Sequence, residues 1–104
     1  MKIIKISEAE SFFNQPGIIG KNIYENPKIN IVHLELEPGT YLEPHPMPMP
    51  VLFYVLEGTG ILTIDGKKYE INQDCGLECP KNLLRFWSNE KNEKLRVLVI
   101  KMNE

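Results

Sequence analysis

The pair Asp65-Gly66, set between "GILTI" and "KKYEI", constrains this chain more than any other stretch. Asp-Gly is a preferred pair for the two-residue type I′ turn, whose twist matches that of two antiparallel strands. Residues 60–71 are therefore expected to form a β-hairpin. Runs of the same character recur along the chain: "KIIKI" at 2–6, "IIGKNIY", "INIVHLEL", "VLFYVLEG", "CGLECP", "LLRFWSN" and "LRVLVIKM". Turn signals such as "QPG", "ENPK" and "EPG" separate them. Short strands at this spacing predict an all-β sandwich or barrel. One helix is expected, short and N-terminal, over roughly 8–14, because Ser7 and Glu10 have capping-box spacing. The chain, 1–104, reads as one domain.

The stretch "EPHPMPMP" places Pro44, Pro46, Pro48 and Pro50 at alternate positions. Consecutive residues of a strand aim their backbone groups at opposite edges, so these prolines all remove donors from the same edge. The other edge can still pair through the odd-numbered residues. The segment is expected to be a sheet edge or to leave the sheet in an extended turn. Fixed φ angles would hold the odd-numbered side chains in place.

Composition narrows the function classes. A formal net charge of -2 leaves no basic excess for a phosphate backbone, so nucleic acid is not an expected partner. No apolar run approaches the ~18 residues of a membrane span. The N-terminal apolar stretch is too short for a signal peptide, and a cytoplasmic location is expected. Cys75 and Cys79 would stand ~13 Å apart on one strand, beyond disulfide reach, so both are expected to be free thiols.

The order of these signals resembles the cupins, small jelly-roll β-barrels also described as double-stranded β-helices. Their first motif, G-x5-H-x-H-x3-E-x6-G, is matched in spacing by Gly39, His45 and Gly58, with Met47 at the second histidine and Val51 at the glutamate. Their second, G-x5-P-x-G-x2-H-x3-N, is matched by Pro80 and Asn89, with Asp74, Asn82 and Arg85 at the two glycines and the histidine. The resemblance implies a jelly-roll barrel and, in most members, a divalent metal on three histidines and a glutamate. This chain keeps one of those four ligands, His45. A hard divalent ion wants oxygen and nitrogen donors, which a valine and a fixed cation do not supply.

Strand alternation then predicts a cavity lined by Tyr41, Glu43, His45, Met47, Phe53, Arg85 and Trp87, with Asn89 on the same side. An inward Arg85 needs a partner. One candidate is Glu43, in an internal ion pair. The other is a carboxylate or phosphate on a ligand, gripped bidentately. His45 reads as a ligand contact or acid–base group, a metal ligand in a reduced site, or a satisfied interior histidine. His33 sits opposite in parity to its apolar neighbours and reads as structural or interfacial.

The leading expectation is a cupin that binds a small anionic or aromatic metabolite through Tyr41, His45, Met47, Phe53, Arg85 and Trp87, with no cofactor. If the protein is an enzyme, His45 and Glu43 would transfer protons. A second reading is a soft or transition-metal site using His45 and Met47, with Met49, Cys75 and Cys79 as further sulfur donors. A third is an interaction barrel with a filled interior. A homodimer is expected, paired through "KIIKI" and "RVLVIKM" as open edges.

Overall fold

The computed structural model describes all 104 residues. It contains nine strands: β1 (Glu10–Gln15), β2 (Ile18–Glu25), β3 (Ile29–Leu36), β4 (Val51–Glu57), β5 (Thr59–Ile64), β6 (Lys67–Asn72), β7 (Gly76–Cys79), β8 (Arg85–Ser88) and β9 (Leu95–Met102). They form a six-stranded sheet in the order β1-β2-β3-β9-β4-β7 and a three-stranded sheet in the order β6-β5-β8, with antiparallel pairing throughout. The last strand slots between β3 and β4, and this crossover winds the two sheets into a jelly roll.

The core is the set of side chains facing inward from both sheets. Val32, Leu34 and Leu36 alternate along β3, Val51, Phe53 and Val55 along β4, and Leu95, Val97 and Val99 along β9. Leu62, Ile71 and Trp87 close it from the smaller sheet. Period-2 alternation therefore reads directly as inside and outside. The expected hairpin forms with Ile64 opposite Lys67, and Asp65 and Gly66 take φ of 47° and 85°, the two positive values a type I′ turn demands. The Asp65 carboxylate also accepts the Leu84 N–H at 3.1 Å, tying the turn to the start of β8.

The N-terminus departs from expectation. Instead of a helix over 8–14 there is one 3-10 turn, Ile6–Glu8, with no side-chain cap, followed by β1. A helix of about seven residues is too short to stand alone in water. The open edge of β2 offers the same residues a ladder of backbone bonds, and Phe12 and Phe13 suit a strand. The run "KIIKI" forms no strand, and Ile3 and Ile4 remain exposed. "RVLVIKM" is a central strand rather than an edge, because β9 is paired on both sides.

The proline segment lies along the free side of β8. His45 N–H donates to Arg85 O at 3.1 Å, and Asn82 N–H donates to Met47 O at 2.8 Å. His45 and Met47 thus bond inward while Pro44, Pro46 and Pro48 make no backbone bond, and Pro50 O accepts from Met102 N–H at 3.0 Å as the chain enters β4, so the segment is an extended edge, interrupted rather than a regular strand. No helix is long and apolar enough to cross a membrane. Both cysteines are free.

On the outer face of the larger sheet His33 is 2% exposed, and its Nε2 accepts a bond from Arg96 Nε at 3.1 Å. Burial first, and the Arg96 charge second, push its pKa below 6.5. The unfolded chain therefore binds a proton that the native state resists. The stability is full above about pH 6.5 and is lost as pH falls through the lowered native value. The wild-type Tm should drop on acidification across that window more than that of His33→Gln, as followed by calorimetry.

Candidate functional site

Alternation along β8 turns Arg85 and Trp87 inward, each almost fully buried. Beside them the backbone of His45 bridges Arg85, with Arg85 N–H donating back to His45 O at 3.4 Å. The His45 Nδ1–H donates to Glu43 O at 3.1 Å, which fixes the tautomer and leaves Nε2 as an acceptor. Arg85 Nη1 then donates to His45 O at 3.1 Å and approaches His45 Nε2 at 3.5 Å. Its guanidinium also lies over the Phe53 ring, 5.2 Å from the centroid. Phe53 meets Trp87 edge to face at 5.4 Å.

These residues surround a cavity of about 160 Å³ that opens between the two sheets. Its walls are mostly apolar: Leu42, Met47, Phe53, Trp87 and Val99, with Phe12 and Phe13 from β1. The polar lining is His45, Arg85 and Lys101. Arg85 is 5% exposed and has no carboxylate partner, since every ion pair in the molecule lies elsewhere. Burial lowers its pKa, with the nearby Cys79 thiol opposing. A guanidinium nevertheless stays charged. The Trp87 indole N–H is likewise buried without an acceptor.

Of the residues expected at the cavity, His45, Met47, Phe53, Arg85 and Trp87 are there, and Tyr41 and Glu43 are not. Tyr41 stands opposite Ser88, and His45 opposite Arg85. Four steps along one chain therefore match three along the other. A one-residue slip reverses which side chains face inward. Leu42 takes the place predicted for Tyr41, which is 57% exposed on the outer side. Glu43 is exposed and touches His45 only through its backbone carbonyl, so neither the Arg85–Glu43 ion pair nor a His45–Glu43 proton-transfer pair is assembled. Asn89 is buried and structural. Its amide donates to Leu36 O and Glu93 O at 3.0 and 2.7 Å and accepts from Lys91 N–H at 3.1 Å.

Beyond Leu42, the lining groups that the motifs do not point to include Lys101, Phe12 and Phe13. Lys101 shares the inward row of Leu95, Val97 and Val99, so the alternation of β9 does point to it. Phe12 and Phe13 both reach the cavity because the pairing of β1 with β2 skips Phe12: Ser11 faces Lys21 and Phe13 faces Gly20. A bulge of this kind has no clear mark in a single sequence.

The family's metal fits these residues poorly. No three His, Cys, Asp or Glu side chains converge anywhere in the chain. At the ligand positions a divalent ion would meet a thioether, a valine and a guanidinium beside the one imidazole. Met49, Cys75 and Cys79 do not line the cavity, and burial raises the pKa of Cys79, which keeps it a thiol. Only His45 and Met47 of the proposed soft-metal donors come together there.

A family model described as a cupin domain matches residues 32–101. No curated protein sequence matches the chain. Among solved structures, KdgF from Halomonas sp. superposes with a TM-score of 0.83 at 16% identity, covering 100% of this chain and 96% of that one. The polyketide cyclase RemF from Streptomyces resistomycificus gives 0.85 at 18%, covering 100% and 80%. A predicted oxalate decarboxylase from Thermotoga maritima gives 0.84 at 18%, covering 99% and 100%.

Proposed function

The chain belongs to the cupin family, and on that footing we propose that its barrel binds a small anionic metabolite without the divalent metal most members use. The observation that carries this reading is Arg85: a buried guanidinium without a carboxylate partner, at an apolar cavity. A buried charge is costly unless paired, and an incoming carboxylate would pair it bidentately. Lys101 adds a second positive group to the lining, His45 a second hydrogen-bonding side chain, and Trp87 carries a buried N–H without a partner. Size limits the ligand. A cavity of about 160 Å³ is close to the ~150 Å³ apolar void that holds benzene, so the anion would sit on a short aliphatic or single-ring body.

A thermal-shift screen of small aliphatic and aromatic carboxylates, with inorganic anions as controls, tests this against wild type and Arg85→Ala. Ligand at a hundredfold excess over Kd should stabilise the wild type by about 2.7 kcal/mol and leave the variant unmoved. A screen with no Arg85-dependent shift sinks the reading.

The partner proposed for the outer face of the larger sheet is a second copy of the chain. Ile31, Leu52, Leu98 and Ile100 line up there in register. β4 (VLFYVLE) and the central VLVI of β9 read as near-continuous apolar runs, which belong to strands covered on both faces. Light scattering should give twice 12.0 kDa, and a clean monomer would refute the dimer.

A further inference from the structure

Lys101 supplies the cavity's only primary amine. It enters from the inward row of β9, opposite Val51 of β4 and Asn30 of β3, and takes part in no ion pair. The charged groups around it are few. Arg85 of β8 repels it, and Glu25 of β2, one strand beyond Asn30, attracts it from outside ion-pair distance. Burial is the strongest influence on Lys101, Arg85 the next, and both lower its pKa against the weaker pull of Glu25. A lysine that is desolvated, or set beside another cation, gives up its proton readily and becomes a nucleophile.

Resting on the anion-binding reading, we propose that Lys101 forms an imine with a small oxo acid whose carboxylate is held by Arg85. The nitrogen lone pair attacks the carbonyl carbon, and the oxygen takes up a proton to give a carbinolamine. The nitrogen then loses a proton, the C–O bond breaks and water leaves. One C=O and one N–H pair are exchanged for one C=N and one water, with no change of oxidation state. His45 Nε2, an acceptor on the same cavity wall, is the group available to carry the proton from nitrogen to the departing oxygen. The cavity's size suits an oxo acid of a few carbons, and its apolar walls favour loss of water.

The test is reductive trapping on the intact wild-type protein. Pyruvate and sodium cyanoborohydride are added at neutral pH, with acetone as the carbonyl that lacks a carboxylate, and the modified lysines are mapped by mass spectrometry. Holding the pyruvate carboxylate on Arg85 makes attack by Lys101 effectively intramolecular, so pyruvate should label Lys101 at least about tenfold faster than surface lysines such as Lys68. Acetone should show no such preference, and Arg85→Ala should abolish the preference for pyruvate. Because the site is mapped on wild type, the result does not depend on a Lys101 variant folding. Labelling spread evenly over surface lysines, or selective labelling of Lys101 that persists in Arg85→Ala, overturns the imine. Arg85-dependent shifts with carboxylates but no Lys101 adduct would overturn the imine and leave anion binding standing. Absence of those shifts would remove the binding reading itself.

Discussion

Arg85→Met is expected to leave the protein as stable as the wild type, or more so, while weakening carboxylate binding by roughly 30-fold or more. Arg85 is almost fully buried, and its polar neighbours are His45 O, a long approach to His45 Nε2, the neutral Cys79 thiol and the face of Phe53. None of these neutralises a charge. Replacing buried ionic groups by apolar side chains of similar volume is often neutral or stabilising, by about 1–4 kcal/mol. Methionine fills irregular space, and the His45 carbonyl it releases belongs to an exposed residue that water can satisfy. Binding responds in the opposite sense. Removing one partner of a desolvated charge pair costs about 2–5 kcal/mol, where every 1.4 kcal/mol is tenfold. Calorimetric melting and titration of the best carboxylate would read both effects on one sample. A Tm that collapses while affinity is unchanged would mean that Arg85 is there for the fold.

Gly58→Ala is expected to be among the most damaging single-methyl additions in the chain. Gly58 is the one residue between β4 and β5, where the chain leaves the larger sheet for the smaller. Its φ is 82°, and a Cβ there would overlap the Lys94 carbonyl oxygen and stand 3.3 Å from Leu95 Cα. The left-handed conformation costs an alanine about 1–2 kcal/mol, and the overlap with fixed backbone adds about 1–3 more. Near 3 kcal/mol in total, at about 4–8 °C per kcal/mol for a domain of this size, the Tm should fall by roughly 15 °C. A drop of a degree or two would show that the corner can relax around a side chain. Gly66 is the internal control. It too has positive φ, but nothing lies within 4 Å of a Cβ there, so Gly66→Ala should show the conformational cost alone.

What could be read from the sequence was local or carried by spacing. The Asp65-Gly66 turn needs only its own φ preferences, and the proline edge only the alternation of backbone groups. Gly39, His45, Gly58, Pro80 and Asn89 keep their intervals, and these are enough to place His45 and Arg85 at one cavity. Tyr41 and Glu43 were misplaced because one extra residue before His45 reverses parity, and nothing in "TYLEPH" marks where the slip occurs. The N-terminal segment was misread because its capping-box spacing is a local signal, overridden by an open edge of β2 that only the folded sheet creates. Lys101 lies outside both motifs, although its row along β9 already assigned it to the interior.

The proline segment has a consequence for how this protein behaves when crowded. An incoming chain that docks on a sheet needs donors and acceptors in turn. The outer side of residues 44–48 offers no N–H at Pro44, Pro46 or Pro48. That border of the smaller sheet, from which His45 and Met47 line the cavity, is therefore sterile toward cross-β growth. Growth by strand addition is left to β1, β6 and β7 at the remaining borders. Resistance to strand addition at this border thus comes from three imino acids.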